Sequence, residues 1–468
     1  MTSCLWKAAL FGCCVGLVTT FFHNARKPAT GNDSCFCQLS GQVDDCCCSI
    51  EDVDKLNTIH INPRLKNLVT RNYFRYFKLN LKRECPFWTD SDQCAVKNCA
   101  IDTCSEDELP AGLQGAKPGS HQENKYSKEA NTKSKSCSSG DEESLGDVDT
   151  TISDEQKESF KVWSTYDDDS SFCVDLDENG DEAEWVDLLL NPEQYTGYRG
   201  RGAYRIWSSI YEENCFLPSK KSRINYADFE LNFLSKTCLE KRAFYRTLSG
   251  LHASISIHLT YKHILPGSFS TKPRFGPNLD EFKRRFDAET TKGNGPHWLK
   301  NLFFTYLLAL RAVIKAAPYW KEVEFYTGDL KEDIEVKKIV MELVNTAQSC
   351  PSTFDESQMF LGDTEKARVL KEEFRLHYKN ITRIMDCVGC TRCRVWGKLQ
   401  TTGIGTALKI LFSSNDWDEI PIVNGEKFSL SRTEIVSLFN ALNKLSQSLT
   451  LVKEFKKMDE QQGNRVGL

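Results

Sequence analysis

The sequence predicts a mainly α-helical protein: a single helical domain with a bundle core, preceded by a disulfide-rich, irregular N-terminal lobe. Three observations predict it. After Val162, long segments repeat their apolar residues every three or four positions, the spacing of one helical face. No alternation of strands with helices accompanies them, which argues against doubly wound and thioredoxin-like folds. The 20 cysteines are crowded unevenly, with five in the fourteen residues from Cys35 to Cys48.

The bulk numbers fit this class. Hydrophobic residues at 40% and charged residues at 27% describe an ordinary globular chain of 468 residues. The net charge of -5 gives nothing global for a nucleic acid to bind. One stretch, "RNYFRYFKLNLKR" (71–83), interleaves rings with basic residues as single-strand binders do. Its simpler reading is an amphipathic segment with its rings packed inward, and no nucleic-acid partner is expected.

Residues 1–30 read as a signal peptide or signal anchor. Lys7 precedes an apolar run of 15 residues from Ala8 to Phe22, the length of a signal core and short for a spanning helix. The bulky "TTFFHNA" is a poor cleavage site, so an uncleaved anchor stays open. Either leader sends the chain into the secretory pathway. Sequons at Asn32 and Asn380 are compatible with a glycoprotein. Three of the 20 cysteines fall in the leader, which leaves 17 in an oxidising compartment. Seventeen is odd, so at least one stays reduced or pairs between chains.

Residues 31–104 form the cysteine-rich lobe, with a second cluster at Cys85, Cys94, Cys99 and Cys104. From 105 to 160 the chain turns polar and reads as a mobile loop carrying Cys137. The helical core follows over 161–460. In 238–265, Phe244, Leu248, Leu251, Ile255 and Leu259 make one apolar face. The segment 299–317 is apolar nearly all round, the pattern of a central buried helix. In 364–388, Leu370, Phe374, His377, Ile381, Ile384 and Val388 share a face, and the helix is expected to stop before Gly389. "SRTEIVSLFNALNKLSQSL" opens on a capping box, Ser431 to Glu434.

Two motifs fail on inspection. "DLDENGDEAEWV" (175–186) begins like a calcium loop but has Val186 where the bidentate Glu belongs. "TTGIGTALKILF" lacks the third glycine and the preceding strand of a dinucleotide fingerprint, and reads as a turn feeding a helix. No metal is assigned.

"MDCVGCTRCRVWGKLQ" (385–400) carries the chemistry. Cys387, Cys390 and Cys393 lack a fourth local soft ligand, and Trp396 and Gly397 stand where an iron–sulfur run would continue. Zinc would have to recruit a distant cysteine. A bridge across two intervening residues constrains the unfolded chain little, so it suits reversible oxidation better than stapling. Cys94 and Cys99 make a second pair in a polar loop beside Lys97, where a thiolate is accessible. One exposed dithiol and one beside a helical core suggest a relay of electrons inward. Its terminal acceptor cannot be read from spacing or composition.

"NLKRECPFWTDSDQCAVKNC", "WVDLLLNPEQYTGYRG", "IWSSIYEENCF", "CLEKRAFYRTLSGLHASI" and "RIMDCVGCTRCRVWGKLQTTGIGTALKILF" resemble the endoplasmic reticulum oxidoreductin family of flavin-dependent thiol oxidases. The resemblance runs from Cys35 to about Phe439. It implies a helical bundle holding FAD and residence on the lumenal side of the endoplasmic reticulum, associated with its membrane. A shuttle disulfide Cys94–Cys99 would take electrons from protein disulfide isomerase. An active-site pair Cys390–Cys393 would receive them, Cys390 facing the shuttle and Cys393 the flavin, and molecular oxygen would end as hydrogen peroxide. Implied structural bridges are Cys35–Cys48, Cys37–Cys46, Cys85–Cys387 and Cys215–Cys238. Implied regulatory pairs are Cys94–Cys137 and Cys99–Cys104. Implied flavin contacts are Thr196, Trp207, Ser249, His252 and Arg285. Ser249 and His252 share a helix face, Trp207 offers a ring to stack and Arg285 a partner for phosphate. Two departures bear on cofactor affinity: Gln194 and Trp298 stand where family members often carry arginine. Cys47, between Cys46 and Cys48, complicates the N-terminal pairing. "NRVGL" is no KDEL-type signal, so retention would rest on an anchor or a bound partner. The competing expectation is a non-enzymatic, cysteine-rich secreted module that binds zinc or a partner.

Overall fold

The apolar periods close into helices whose faces meet in one bundle. A computed structural model describes residues 39, 41–85, 87, 99–114, 172, 182–198, 200–213, 238–265, 274–350, 353–362, 364–414, 417–423 and 425–466. The leader, Cys35, Cys37, Cys94, Cys137, Cys215, Asn32 and residues 175–181 lie outside that set, as do residues 115–160 of the polar loop.

Ile50–Leu56 (α1) opens on Ser49, whose side chain accepts from the Asp52 amide, and continues through a π turn into Asn62–Leu68 (α2). Asn72–Arg75 (α3) runs straight into Tyr76–Asn80 (β1). The stretch 71–83 is therefore split between helix and strand, with Tyr73, Phe74, Tyr76 and Phe77 all buried. The N-terminal lobe is more helical than the sequence suggested, because Ile50, Val53, Ile61, Leu65 and Leu68 bury one face.

Thr103–Cys104 (β2) and Ala183–Asp187 (β3) complete a small antiparallel sheet in the order β1-β3-β2. Tyr76 lies opposite Asp187, and Thr103 opposite Val186. After a 3-10 turn at Tyr195–Tyr198 come Gly200–Ser208 (α4) and Leu239–Tyr261 (α5). The hairpin His263–Ile264 (β4) and Phe275–Gly276 (β5) precedes Leu279–Phe286 (α6). Asn294–Lys315 (α7), Ala317–Glu322 (α8), Leu330–Gln348 (α9) and Glu365–Ile384 (α10) follow. Thr391–Ser413 (α11), the hairpin Ile422–Val423 (β6) and Glu426–Lys427 (β7), and Arg432–Val466 (α12) finish the chain.

The bundle is α5, α7, α11 and α12, with α7 and α12 each packed on the other three. α7 is its central member: Leu302, Phe303, Tyr306, Leu307, Leu310 and Val313 are all fully buried, on several sides of the helix. Two glycines set the spacing. A Cβ on Gly250 would stand 2.4 Å from the Asn301 carbonyl oxygen of α7, and one on Gly403 would stand 2.3 Å from the Ser437 carbonyl oxygen of α12. This corrects the reading of "TTGIGTALKILF" as a turn feeding a helix. The segment lies inside α11, and its glycine admits a neighbouring backbone rather than a bend.

The capping box forms as expected: Ser431 N–H donates to Glu434 Oε2 at 2.8 Å, and Glu434 N–H donates to Ser431 Oγ at 3.1 Å. α12 runs on to Val466 because Val452 and Phe455 continue its buried face. α10 stops at Ile384 rather than Val388, its end tightening into a 3-10 turn at Met385–Cys387. Among the described residues no helix is long and apolar enough to cross a membrane.

Candidate redox site

The site is built where α10 ends and α11 begins. Cys390 occupies the N-cap of α11 in extended conformation, and Cys393 lies on its first turn. Both are buried, Cys393 completely. Two long-range disulfides hold this corner. Cys85–Cys387, with Cα atoms 4.4 Å apart, fastens the 3-10 turn to the segment after β1. Cys99–Cys390, with Cα atoms 5.0 Å apart, fastens the α11 N-cap to the segment entering β2.

The second bridge differs from the implied resting pairs Cys94–Cys99, Cys390–Cys393 and Cys99–Cys104. A sulfur forms one disulfide, so with Cys390 joined to Cys99 neither pairs within its own motif, and Cys104 stands apart as a partly buried thiol. The backbone explains the choice. The Arg392 amide donates to the Cys99 carbonyl at 3.0 Å, and its guanidinium donates to the Ala100 carbonyl at 2.7 Å. Asn191 clamps the same strand from the other side. Its Oδ1 accepts from the Asp102 amide at 2.9 Å, and its Nδ2 donates to the Asp102 carbonyl at 2.8 Å. Arg394 donates to the carbonyls of Val388 and Leu81, at 3.0 and 2.8 Å. Asp386, buried beneath, pairs with Arg383 and Lys398.

Beyond Cys393 lies a buried polar cluster that the sequence reading missed. The Cys393 thiol points at the Gln194 carbonyl, 3.4 Å away. Glu193 accepts from Tyr198 Oη at 2.6 Å, Tyr195 Oη at 2.8 Å and Gln400 Nε2 at 3.0 Å, and pairs with Lys444 Nζ at 3.1 Å. Tyr198 Oη also lies 3.5 Å from the Cys393 carbonyl. Burial opposes the Glu193 charge, but Lys444, the Tyr198 hydrogen bond and the other donors outweigh it and hold the carboxyl below its ordinary range. Burial and that carboxylate push both tyrosines well above theirs, so they stay donors. His258 stacks on Tyr195, and burial with Lys444 nearby lowers it to about 3. A single carboxylate among tyrosines has no period and no motif. The signal was slight: one acidic residue in "NPEQYTGYRGR", with no basic residue nearer along the chain than Arg199.

The expected flavin contacts gather along one face of α5. Trp207 of α4 stacks on His252 with centroids 3.9 Å apart and planes 11° apart, and Tyr211 Oη reaches His252 Nδ1 at 3.4 Å. Burial, with Arg285 adding, lowers His252 to about 3, so the ring is neutral. Ser249 Oγ accepts from Asn301 Nδ2 at 3.0 Å. Arg285 of α6 pairs with Glu281 at 2.8 Å and reaches Ser256 Oγ at 3.5 Å. Thr196 lies in the 3-10 turn beside Cys393, and its side chain is outside the described residues. Trp298 packs against the core. Gln194 borders a cavity of about 150 Å³ with Glu193, Tyr195 and Lys262. Of the remaining cysteines, Cys238 is exposed at the start of α5, and Cys46 and Cys48 are buried. The bridges implied for these three end on Cys215, Cys37 and Cys35, outside the described residues.

Comparison with known proteins supplies the frame. Residues 60–452 match the family model described as Endoplasmic Reticulum Oxidoreductin 1. The chain is 46% identical over 443 residues to ERO1-like protein alpha of Mus musculus, covering 92% of this chain and 93% of the mouse protein. It is 44% identical over 441 residues to Ero1-like protein of Drosophila melanogaster, covering 90% of each. A solved structure of S. cerevisiae Ero1p, in a mutant with two cysteines replaced by alanine, superposes with a TM-score of 0.57 at 32% identity, over 89% of this chain and 99% of that one. A second structure, of Ero1p described as the source of disulfide bonds for oxidative protein folding in the cell, superposes with a TM-score of 0.56 at 29% identity, over 89% of this chain and 99% of that one. These matches displace the non-enzymatic module. The chain belongs to the Endoplasmic Reticulum Oxidoreductin 1 family, and it is an endoplasmic reticulum thiol oxidase acting in disulfide formation.

Proposed function

We propose that this chain is an FAD-dependent oxidase that reoxidises protein disulfide isomerase in the lumen of the endoplasmic reticulum, with Cys94–Cys99 as shuttle and Cys390–Cys393 as active site. One observation carries the reading: the Cys99–Cys390 bond joins one member of each pair. A relay between two dithiols must pass through such a mixed disulfide. A partner dithiol first reduces the shuttle. The Cys99 thiolate attacks Cys390 Sγ of the oxidised inner pair, the Cys390–Cys393 bond breaks, and Cys393 leaves as thiolate. The Cys94 thiolate then attacks Cys99 Sγ and Cys390 leaves. The shuttle is oxidised again, and the inner pair holds the two electrons. The positive end of α11 favours negative charge on both leaving sulfurs.

The donor set suits FAD. Trp207, Tyr211 and His252 offer aromatic faces, Ser249 a hydroxyl and Arg285 a cation for phosphate. Beside Trp207, Ser208 Oγ is buried with no hydrogen-bond partner among the described residues, a polar atom suited to a ligand. Thr196, Trp207, Ser249, His252 and Arg285 would hold the cofactor. When bound, FAD would supply the two-electron acceptor for the inner dithiol and pass the electrons to oxygen as hydrogen peroxide. Membrane association, through residues 1–30 or peripherally, belongs to the same proposal.

Purified protein is expected to be yellow and to consume oxygen when given reduced protein disulfide isomerase. Cys393→Ala is expected to abolish consumption. Cys94→Ala is expected to lose turnover with protein thiols yet keep it with a small penetrating dithiol. A colourless preparation, or full oxygen uptake by Cys393→Ala, sinks the assignment.

A further inference from the structure

We infer that Asn191 is a positioning residue for the transfer between the two dithiols: its amide holds the segment that carries Cys99 in register with the start of α11, where Cys390 stands. The inference deepens the relay reading above and rests on it. Asn191 is fully buried. At the end of β3, Asp187 pairs with Arg75, and its Oδ1 accepts from the Leu189 and Leu190 amides at 2.9 and 3.3 Å. The Asn191 amide then donates to the Asp187 carbonyl at 3.0 Å and closes a turn. That turn carries the Asn191 side chain back to where the β2–β3 ladder runs out. Thr103 lies opposite Val186, so the next step would set Asp102 against Asp187. Asn191 takes over there. Its Nδ2 donates to the carbonyls of Asp102 and Asp187 at 2.8 and 3.0 Å, and its Oδ1 accepts from the Asp102 amide at 2.9 Å. Its own carbonyl accepts from Trp396 Nε1 at 2.8 Å, one turn of α11 beyond Cys393. Every polar group of this buried residue is thus committed, and together they join the end of β3, the segment entering β2 and the first turns of α11.

Four successive residues are fixed as a result. Asn191 holds Asp102 by both its main-chain groups, and Ile101 packs against the core. The Arg392 guanidinium donates to the Ala100 carbonyl at 2.7 Å, and the Arg392 amide to the Cys99 carbonyl at 3.0 Å. At the end of this run the Cα atoms of Cys99 and Cys390 stand 5.0 Å apart, within disulfide reach. Two sulfurs on separate segments bond in proportion to their effective concentration, which drops when either segment wanders. With Asp102 released, Cys99 would have to be ordered afresh at each meeting with Cys390, and the exchange would carry that entropy. Asn191 therefore acts through the backbone of 99–102 rather than on a sulfur.

The test reads the Cys99–Cys390 bond with no demand on flavin or oxygen. In the full chain carrying Cys94→Ala and Cys393→Ala, glutathione disulfide takes two electrons and two protons from the Cys99 and Cys390 thiols. One protein disulfide forms and two glutathione thiols are released. The protein is equilibrated in glutathione buffers of graded ratio, blocked with N-ethylmaleimide and mapped by mass spectrometry. Adding Asn191→Ala is expected to lower the equilibrium constant for the Cys99–Cys390 bond by about tenfold. The fraction of the same chains that holds Cys85–Cys387 is expected to stay as in the parent. Asn191→Asp keeps the acceptor for the Asp102 amide and loses both donors. It is expected to fall between the two, and it decides alone if the alanine variant fails to fold. An unchanged constant overturns the inference. So does an equal loss of both bridges, the mark of a residue that only supports the fold. A parent chain in which Cys99 and Cys390 never pair sinks the relay reading, and this inference with it.

Discussion

Cys390 and Cys393 show what a residue gains from its neighbours. Local spacing singled the pair out, but the sulfur that Cys390 holds belongs to Cys99, 291 residues away, which no local pattern could reveal. The same is true of Glu193, whose partner Lys444 sits on α12. Both side chains are largely buried, and breaking such a pair by removing one charge costs about 3–5 kcal/mol, because the survivor stays buried and uncompensated. Glu193→Gln keeps the shape and most hydrogen bonds but strands Lys444. It is expected to lower the thermal unfolding midpoint clearly, and Glu193→Gln with Lys444→Met is expected to recover much of the loss. Calorimetry of the two variants decides. A single variant as stable as the parent would mean that Lys444 finds another partner or water.

At the scale of elements, most of the bundle was legible and its contacts were not. The periods of 238–265, 299–317 and 364–388 gave helices because each buries one face or, for α7, nearly all of itself. Gly403 misled, because a glycine in a polar-looking stretch reads as a turn unless the helix it must admit is known. Its role yields a prediction of sign. In a solvent-facing helix, Gly→Ala stabilises by about 0.5–1 kcal/mol. At Gly403 the new methyl would meet the Ser437 carbonyl at 2.3 Å and the Ala441 Cβ at 2.6 Å. Gly403→Ala is therefore expected to destabilise by about 1–3 kcal/mol as α11 and α12 are forced apart. Urea unfolding reads it, and a gain in stability would contradict the close approach. The segment 71–83 failed differently: its rings were rightly placed inside, but the change from helix to strand at Tyr76 depends on β3, more than 100 residues on.

For the whole molecule, buried histidines set the direction of pH dependence. His252 and His258 are lowered to about 3 from an unfolded value near 6.5, by burial first and by Arg285 and Lys444 second. Between those values the unfolded chain binds protons that the native chain refuses, so stability rises with pH across the window and is lost as pH falls. Burial lowers His297 and His377 as well. Asp54 works against them. Burial raises its carboxyl to about 6, so below that pH the native chain takes up a proton earlier than the unfolded one and gains stability. Burial raises the Asp333 carboxyl as well, in the same sense as Asp54. Among the described residues four histidines pull one way and these two carboxyls the other, so the unfolding midpoint is expected to fall from pH 7 to pH 5. The ordinary carboxylates, whose unfolded values lie near 4, contribute little there. His258→Gln is expected to flatten the slope, and Asp54→Asn to steepen it below pH 6. A midpoint that holds or climbs on acidification to pH 5 would mean that these rings reach water. The stack of His252 on Trp207 would then be too open to exclude solvent from a bound cofactor.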